Sequence, residues 1–340
     1  MSGQNSIEGA MLLKEIQNRG YEEFDHGIPS EWIDNLVEKY AELTLAHPNP
    51  NAETMDLMIP FDPTPDEVAD ENNFEDGSFS HYKWLGKQLD NLDRTQDTQK
   101  EWHKYRTNVQ GVGKPDGYTN RSFQSEVILS ERGIDLREDP KEYYHHTPTH
   151  MGKMQRLHRE LGWGALPPEV LTLDLAFGKI HTKARELTVK ICASIEDVHP
   201  EIKDIITSES LDTSPIRLLF YHPSDSEQLG AGHYDKSVGT LQLAESHEGL
   251  RISTVKGQPL QGVVREPEKA VYFPGWGLQN RVGEDTPYQP GYHDIVRIDR
   301  LNPGRTIPEK AAQVCVRYAV IFFSNGANYV MPDKSLMHQQ

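Results

Sequence analysis

The stretch GAGHYDKSVGTLQLAESHEGLRI, residues 230–252, sets an imidazole and a carboxylate two positions apart in His233-Tyr234-Asp235. Side chains two apart on a strand point the same way, so His233 and Asp235 can both reach one ion. The spacing alone settles little, because a chain with fifteen histidines should contain about one such triplet by chance. A non-haem iron(II) centre needs two imidazoles and one carboxylate on one side of the metal, with the other positions open. The second imidazole must then come from another strand. His293, in PGYHDIVRI, opens a short apolar run well downstream and is the outstanding candidate. Farther on, Arg317 sits in VCVRYAVIFF, where a guanidinium among apolar residues is costly unless an anion meets it.

Residues so far apart in sequence need a scaffold, and the chain supplies one in two textures. Its first part is helical and mixed. YEEFDHGI can form a strand, and Ser30 after Pro29 can cap a helix whose stripe is Ile33, Leu36, Val37, Tyr40 and Leu43. Residues 48–98 are acidic and rich in Pro, Asn and Asp, which reads as a long excursion. The clearest helix follows WGALPPEV, with Phe177, Ile180, Ala184, Leu187, Ile191 and Ile195 spaced three and four apart. From Ser214 the texture changes to short runs broken by Gly and Pro: IRLLFYH, GTLQLA, GLRIS, AVYFPG, YHDIVRI and VCVRYAVIFF. Regularly spaced short strands predict a sandwich or barrel.

Composition removes several classes of function. A formal net charge of −17 argues against nucleic acid or an anionic membrane as partner. No apolar run approaches a membrane span, and the N-terminus lacks the basic start and apolar core of an export signal. Cys192 and Cys315 are too few for a disulfide framework or a thiolate metal site, which suits a reducing cytoplasm.

His-x-Asp, a distant His and then an Arg in an apolar strand together resemble the iron(II)- and 2-oxoglutarate-dependent oxygenases, more narrowly the isopenicillin N synthase-like branch. GYEEFDHGIPSEWIDNLVEKYAEL is similar to that branch's N-terminal segment and helix. WGALPPEV, IRLLFYHP and YFPGWGLQNRV…YHDIV are similar to its later landmarks. The resemblance implies a mainly β fold with flanking helices around a double-stranded β-helix, the cupin-like jelly roll. It implies one oxygenase domain over 1–340: a helical and mixed region at 1–150, a scaffold helix within 151–200 and the core at 214–330. It implies His233, Asp235 and His293 as ligands of iron(II), with Arg317 and Tyr221 on the distal carboxylate of 2-oxoglutarate. A planar guanidinium suits that role because it grips a carboxylate with two parallel hydrogen bonds. The expected reaction consumes O2 and 2-oxoglutarate and oxidises a small molecule, most simply by hydroxylation, since halogenating relatives leave the carboxylate position empty. Two departures stand out: Arg317-Tyr318-Ala319 replaces the usual Arg-x-Ser, and RLNPGRTIPEKAAQ reads as an inserted loop. The rival readings are an oxidase of the isopenicillin N synthase type, without 2-oxoglutarate, and a metal-binding jelly roll without oxygen chemistry.

Other candidates weigh less. Arg106, Tyr118 and Arg121 would suit a carboxylated substrate at the barrel mouth. His26 in DHGIP has a structural counterpart in the family. The pair His145-His146 and the triplets at 158–160 and 199–201 read as surface or helical residues lacking a third ligand. GVGKPDG lacks the Lys-Ser/Thr ending of a phosphate loop.

Overall fold

The computed structural model describes residues 12, 14–46, 141–148, 151–152, 155, 165–166, 168–223, 225–253, 258–283 and 288–327, and the backbone of 109–111 and 114–120. The acidic excursion at 48–98 lies outside the described residues, as do Arg106 and Arg121.

Among the described residues, strands β1 (Glu22–Asp25), β2 (Val109–Gly111), β3 (Lys114–Asn120), β4 (Lys141–His146) and β5 (Ile216–Tyr221) come first. They are followed by β6 (Gln228–His233), β7 (Gly239–Glu245), β8 (Leu250–Ser253) and β9 (Gln261–Gly262). The last three are β10 (Lys269–Pro274), β11 (Tyr292–Val296) and β12 (Arg317–Ser324). The helices are α1 (Ser30–Ala46), α2 (Pro168–Glu196), α3 (Ser208–Asp212) and α4 (Trp276–Val282). One sheet has the order β1-β10-β7-β12-β5-β4-β3-β2 and the other β6-β11-β8-β9. Every pairing is antiparallel.

The period-2 pleat divides β5 and β12 between two cores. Leu218, Phe220, Val320 and Phe322 join Phe177, Ile180 and Ile191 of α2 and Ile33 and Tyr40 of α1. Leu219, Tyr221 and Ala319 turn the other way, into a cluster with Leu229, Leu250, Ile252 and Ile295 of the second sheet. One large sheet is therefore covered by helices on one face and by the small sheet on the other. Each of these large apolar side chains contributes about 1.5–3 kcal/mol by burial. Strand β7 is buried along its whole length, as a central strand covered on both faces must be.

Two expectations change. The helix predicted from Phe177 begins at Pro168, because proline is well tolerated in the first turn. His145 and His146 are not surface residues: both are buried on β4, one on each face of the sheet's pleat. The inserted loop 300–313 is anchored to α1, where Lys310 pairs with Glu42 at 2.6 Å and Glu38 at 3.6 Å. No helix among the described residues is long and apolar enough to cross a membrane.

Candidate metal centre

Strands β6 and β11 pair antiparallel and set His233 directly opposite His293. Their rings lie 4.3 Å apart, centroid to centroid, at 52°. Asp235 arrives by a different route from the expected one. Strand β6 ends at His233, so the carboxylate is brought in by the following loop rather than by strand alternation. That loop is tied to the start of α4: the Trp276 amide donates to the Asp235 carbonyl at 2.9 Å and the Gly277 amide to the Ser237 carbonyl at 3.0 Å. Gly275 permits the approach, since a Cβ there would lie 2.1 Å from the Ser237 carbonyl oxygen.

One ligand atom from each of His233, Asp235 and His293 lies within 4.8 Å of the others. Asp235 Oδ1 is 3.6 Å from His233 Nε2, and Oδ2 is 3.8 Å from His293 Nε2. An ion making bonds of about 2 Å to each would fit between atoms so spaced. The tautomers suit it too. His233 Nδ1 lies 2.8 Å from the Ala231 carbonyl and His293 Nδ1 lies 3.0 Å from the Gly291 carbonyl. A carbonyl only accepts, so each Nδ1 carries a proton and each Nε2 is the nitrogen left to face a metal. Burial, then the neighbouring His233, lowers the His293 pKa to about 4, which keeps the imidazole neutral. Burial pushes the Asp235 carboxyl upward, but His293, His233 and the Thr240 hydroxyl outweigh it and hold it well below the usual carboxylate range. The Thr240 hydroxyl donates to Asp235 Oδ2 at 2.6 Å. The His233 side chain is 50% exposed and that of His293 8%, so the centre meets solvent on the His233 side.

A second polar group occupies the space between the sheets. Arg317 on β12 stands opposite Tyr221 on β5, its guanidinium carbon 4.7 Å from the centre of the tyrosine ring. Arg317 Nη2 donates to Glu245 Oε2, which also accepts from Gln242 Nε2 at 2.6 Å. Arg265 Nε lies 3.7 Å from Glu245 Oε1, and Arg265 Nη1 donates to the Gln242 carbonyl. All five side chains are buried. Two guanidiniums thus face one carboxylate; burial lowers the Arg265 pKa to about 10, the pull of Glu245 notwithstanding. Among the described residues, Arg317 Nε and Nη1 have no hydrogen-bond partner. Arg317 borders a cavity of about 480 Å3 that His222, Leu229, His247 and Arg297 also line. A larger cavity of about 820 Å3 lies along α2 and shares no residue with the triad.

No family model matches the sequence, and no curated protein matches it. Solved structures are similar in fold. A full-length Neurospora crassa protein, crystallised in complex with alpha-KG, has a TM-score of 0.52 at 14% identity, covering 98% of this chain and 86% of that one. A Caulobacter crescentus protein assigned to the 2OG-Fe(II) oxygenase family has a TM-score of 0.52 at 17% identity, over 95% of this chain and 83% of its own. The dioxygenase for auxin oxidation 1 of Arabidopsis thaliana, in a 2-oxoglutarate complex, has a TM-score of 0.52 at 10% identity, over 97% and 92%. The chain has the fold of the iron(II) and 2-oxoglutarate oxygenases.

Within this jelly-roll-like oxygenase fold, the remaining sequence candidates fall apart from the triad. His26 accepts from the Ile28 amide at 2.9 Å and donates to the Pro267 carbonyl at 2.9 Å, so both of its nitrogens serve the backbone. His199 pairs with Glu201 at 2.7 Å, and the 158–160 triplet lies outside the described residues. Tyr118 lies on β3 opposite Tyr144, on a stretch described by its backbone. Arg305 donates to the Pro267 carbonyl at 2.5 Å. Sequence reading missed Glu245 and Arg265. The available signal was a charge closing each of two mainly apolar runs, LQLAE and GVVR, the same signal that marks Arg317.

Proposed function

We propose that this chain is an iron(II)- and 2-oxoglutarate-dependent oxygenase that hydroxylates a small organic molecule. One domain would carry the activity, its strands β5 to β12 wound between the two sheets as a double-stranded β-helix. The observation that carries the reading is a paired arrangement: two imidazoles and an ionised carboxylate converging at one end of the inter-sheet space, and a buried arginine with unpartnered N–H groups farther in. His293 and Val296, the residue before cavity-lining Arg297, are separated by about 10 Å of strand rise. A five-carbon keto diacid held at the triad by its keto acid end, together with an arginine side chain, can bridge that length.

His233, Asp235 and His293 would hold iron(II). When bound, iron(II) supplies the oxygen activation needed for oxidative decarboxylation of the co-substrate and insertion of oxygen into a C–H bond. The balance is one O2, one 2-oxoglutarate and one C–H bond consumed for one succinate, one CO2 and one alcohol. The protein's part is placement. Arg317 offers its unpartnered N–H groups to the distal carboxylate, while Tyr221 supports the guanidinium from its face. The two carbonyl-bound Nδ1 groups fix ring orientation, and Thr240 fixes the carboxylate. The solvent-exposed side of His233 is where a substrate can enter. The Neurospora crassa protein of the same fold is crystallised with thymine and with 5-formyluracil, which supports a small molecule as partner. Buried free thiols at Cys192 and Cys315 suit a cytoplasmic home.

One observation favours the oxidase reading: Glu245 already occupies part of the Arg317 fork. Succinate release under air with iron(II) and 2-oxoglutarate, across a panel of amino acids and other small metabolites, tests between them. Oxygen uptake that needs substrate but no keto acid would overturn the 2-oxoglutarate reading.

A further inference from the structure

Strand β4 lies beyond the eight strands that bear the site, yet its first residue enters the same space. Lys141 pairs in register with Tyr221, and Tyr221 pairs with Arg317, so the three form one row across β4, β5 and β12. The row faces the small sheet, because Tyr143, two residues along β4 from Lys141, belongs to the inter-sheet core with Tyr221 and Ala319. Lys141 is only 6% exposed. Its ammonium lies 5.8 Å from the centre of the Tyr221 ring, the ring that Arg317 approaches to 4.7 Å.

The lysine also reaches across to the opposite sheet. A Cβ at Gly230 on β6 would lie 3.5 Å from Lys141 Nζ, ordinary van der Waals contact, so the ammonium lies against β6 at this glycine. Gly230 is three residues back from His233, about 10 Å of strand rise from the metal end. Gly230 pairs with Ile295, and the preceding residue of β6, Leu229, lines the Arg317 cavity.

Two buried cations on one aromatic ring, at one depth and facing one space, form a site for an anion. Arg317 cannot close around an anion alone, since Glu245 takes its Nη2 and leaves Nε and Nη1. We propose that Lys141 is the second cation of the co-substrate pocket and that it and Arg317, both held on Tyr221, take the distal carboxylate of 2-oxoglutarate together. This rests on the functional reading above.

The test measures binding rather than turnover. Manganese(II)-loaded protein is titrated by calorimetry with 2-oxoglutarate and with 2-oxopentanoate, which has the same carbon chain but no distal carboxylate. Wild type should prefer 2-oxoglutarate strongly. Lys141→Met should cut that preference at least tenfold while manganese affinity is unchanged, and Lys141→Arg should restore most of it. A merely structural lysine would change the binding of both acids alike. If Lys141→Met does not fold, Lys141→Gln gives the same readout. An unchanged preference in the neutral variants overturns the role of Lys141 and leaves the functional reading intact. Weakened binding of the oxidised substrate alone would do the same, by moving the lysine to the substrate. A wild type that binds neither keto acid overturns both proposals.

Discussion

The two ends of the inter-sheet space are built on opposite electrostatic plans. At the metal end, His293 is held neutral, Asp235 is held ionised and both histidine Nδ1 atoms face backbone carbonyls, so each polar atom not aimed at the ion has a partner. At the arginine end, Arg317 and Arg265 share one carboxylate and leave guanidinium N–H groups unpartnered among the described residues. The metal end is preorganised by backbone and open to solvent. The arginine end is buried and carries an excess of positive charge. On the proposed reading an ion completes the first and an anion brought by a ligand completes the second.

The most severe change takes the metal end apart. His293→Ala should abolish iron binding and turnover together, by calorimetry and succinate release, while circular dichroism stays native because the site is open and not a structural staple. Wild-type turnover in that variant would remove the third ligand.

Next comes the arginine end. A charge-assisted hydrogen bond is worth about 1.5–3 kcal/mol, so losing two in Arg317→Met should raise the apparent KM for 2-oxoglutarate by about 100-fold or more. Arg317→Lys keeps the charge without the fork and should cost about tenfold. Iron affinity should hold in both, and 2-oxopentanoate should lose less than 2-oxoglutarate. Equal losses for the two acids would assign the carboxylate to another group.

The charge excess also responds to pH. Burial lowers the His26 pKa to about 4, and Arg265 and Arg305 add to the effect. The folded value lies below the unfolded value of about 6.5. Neutral His26 therefore leaves stability at its full value above pH 6.5, and protonation withdraws it progressively down to pH 4. The loss is about 3 kcal/mol. Urea midpoints of metal-free wild type and His26→Gln, measured from pH 7 to 4, should show a shallower decline in the variant. Parallel declines would mean that His26 stays neutral for no energetic reason.

The mildest change returns to the metal end. Thr240→Val keeps shape but removes the donor to Asp235, and loss of such an outer partner should weaken metal binding about tenfold. A manganese titration reads it directly. No change would mean that the α4 contacts alone position the carboxylate loop.

Much of this was legible from residues. The His-x-Asp pair, the distal histidine and the buried arginine stood out because each is a polar residue set against an apolar run of recognisable period. The strands that carry His293 and Arg317 were legible for the same reason, as was the α2 stripe. Strand β6 was not: QLGAGH has two glycines and little apolar alternation, and it becomes a strand because β11 pairs with it. Strand β4 hid similarly, since KEYYHH reads as polar until β5 supplies its partner and α2 its cover.

From the residues alone follow the candidate metal-binding side chains, the two-texture order of helices before strands, and an acidic composition unsuited to nucleic acid. These rest on local chemistry and on periods of 2 and 3.6, which need no partner to be read. Folding in three dimensions adds that Asp235 comes in on a loop held by Gly275, that Glu245 shares Arg317 with the pocket, and that Lys141 joins the Tyr221 row. Each depends on strand register between segments far apart in the chain. Even the face that Glu245 presents depends on a register shift of β12 against β7 at Val320 and Ile321. A shift of one residue turns a side chain to the opposite face, and nothing local in the sequence specifies it.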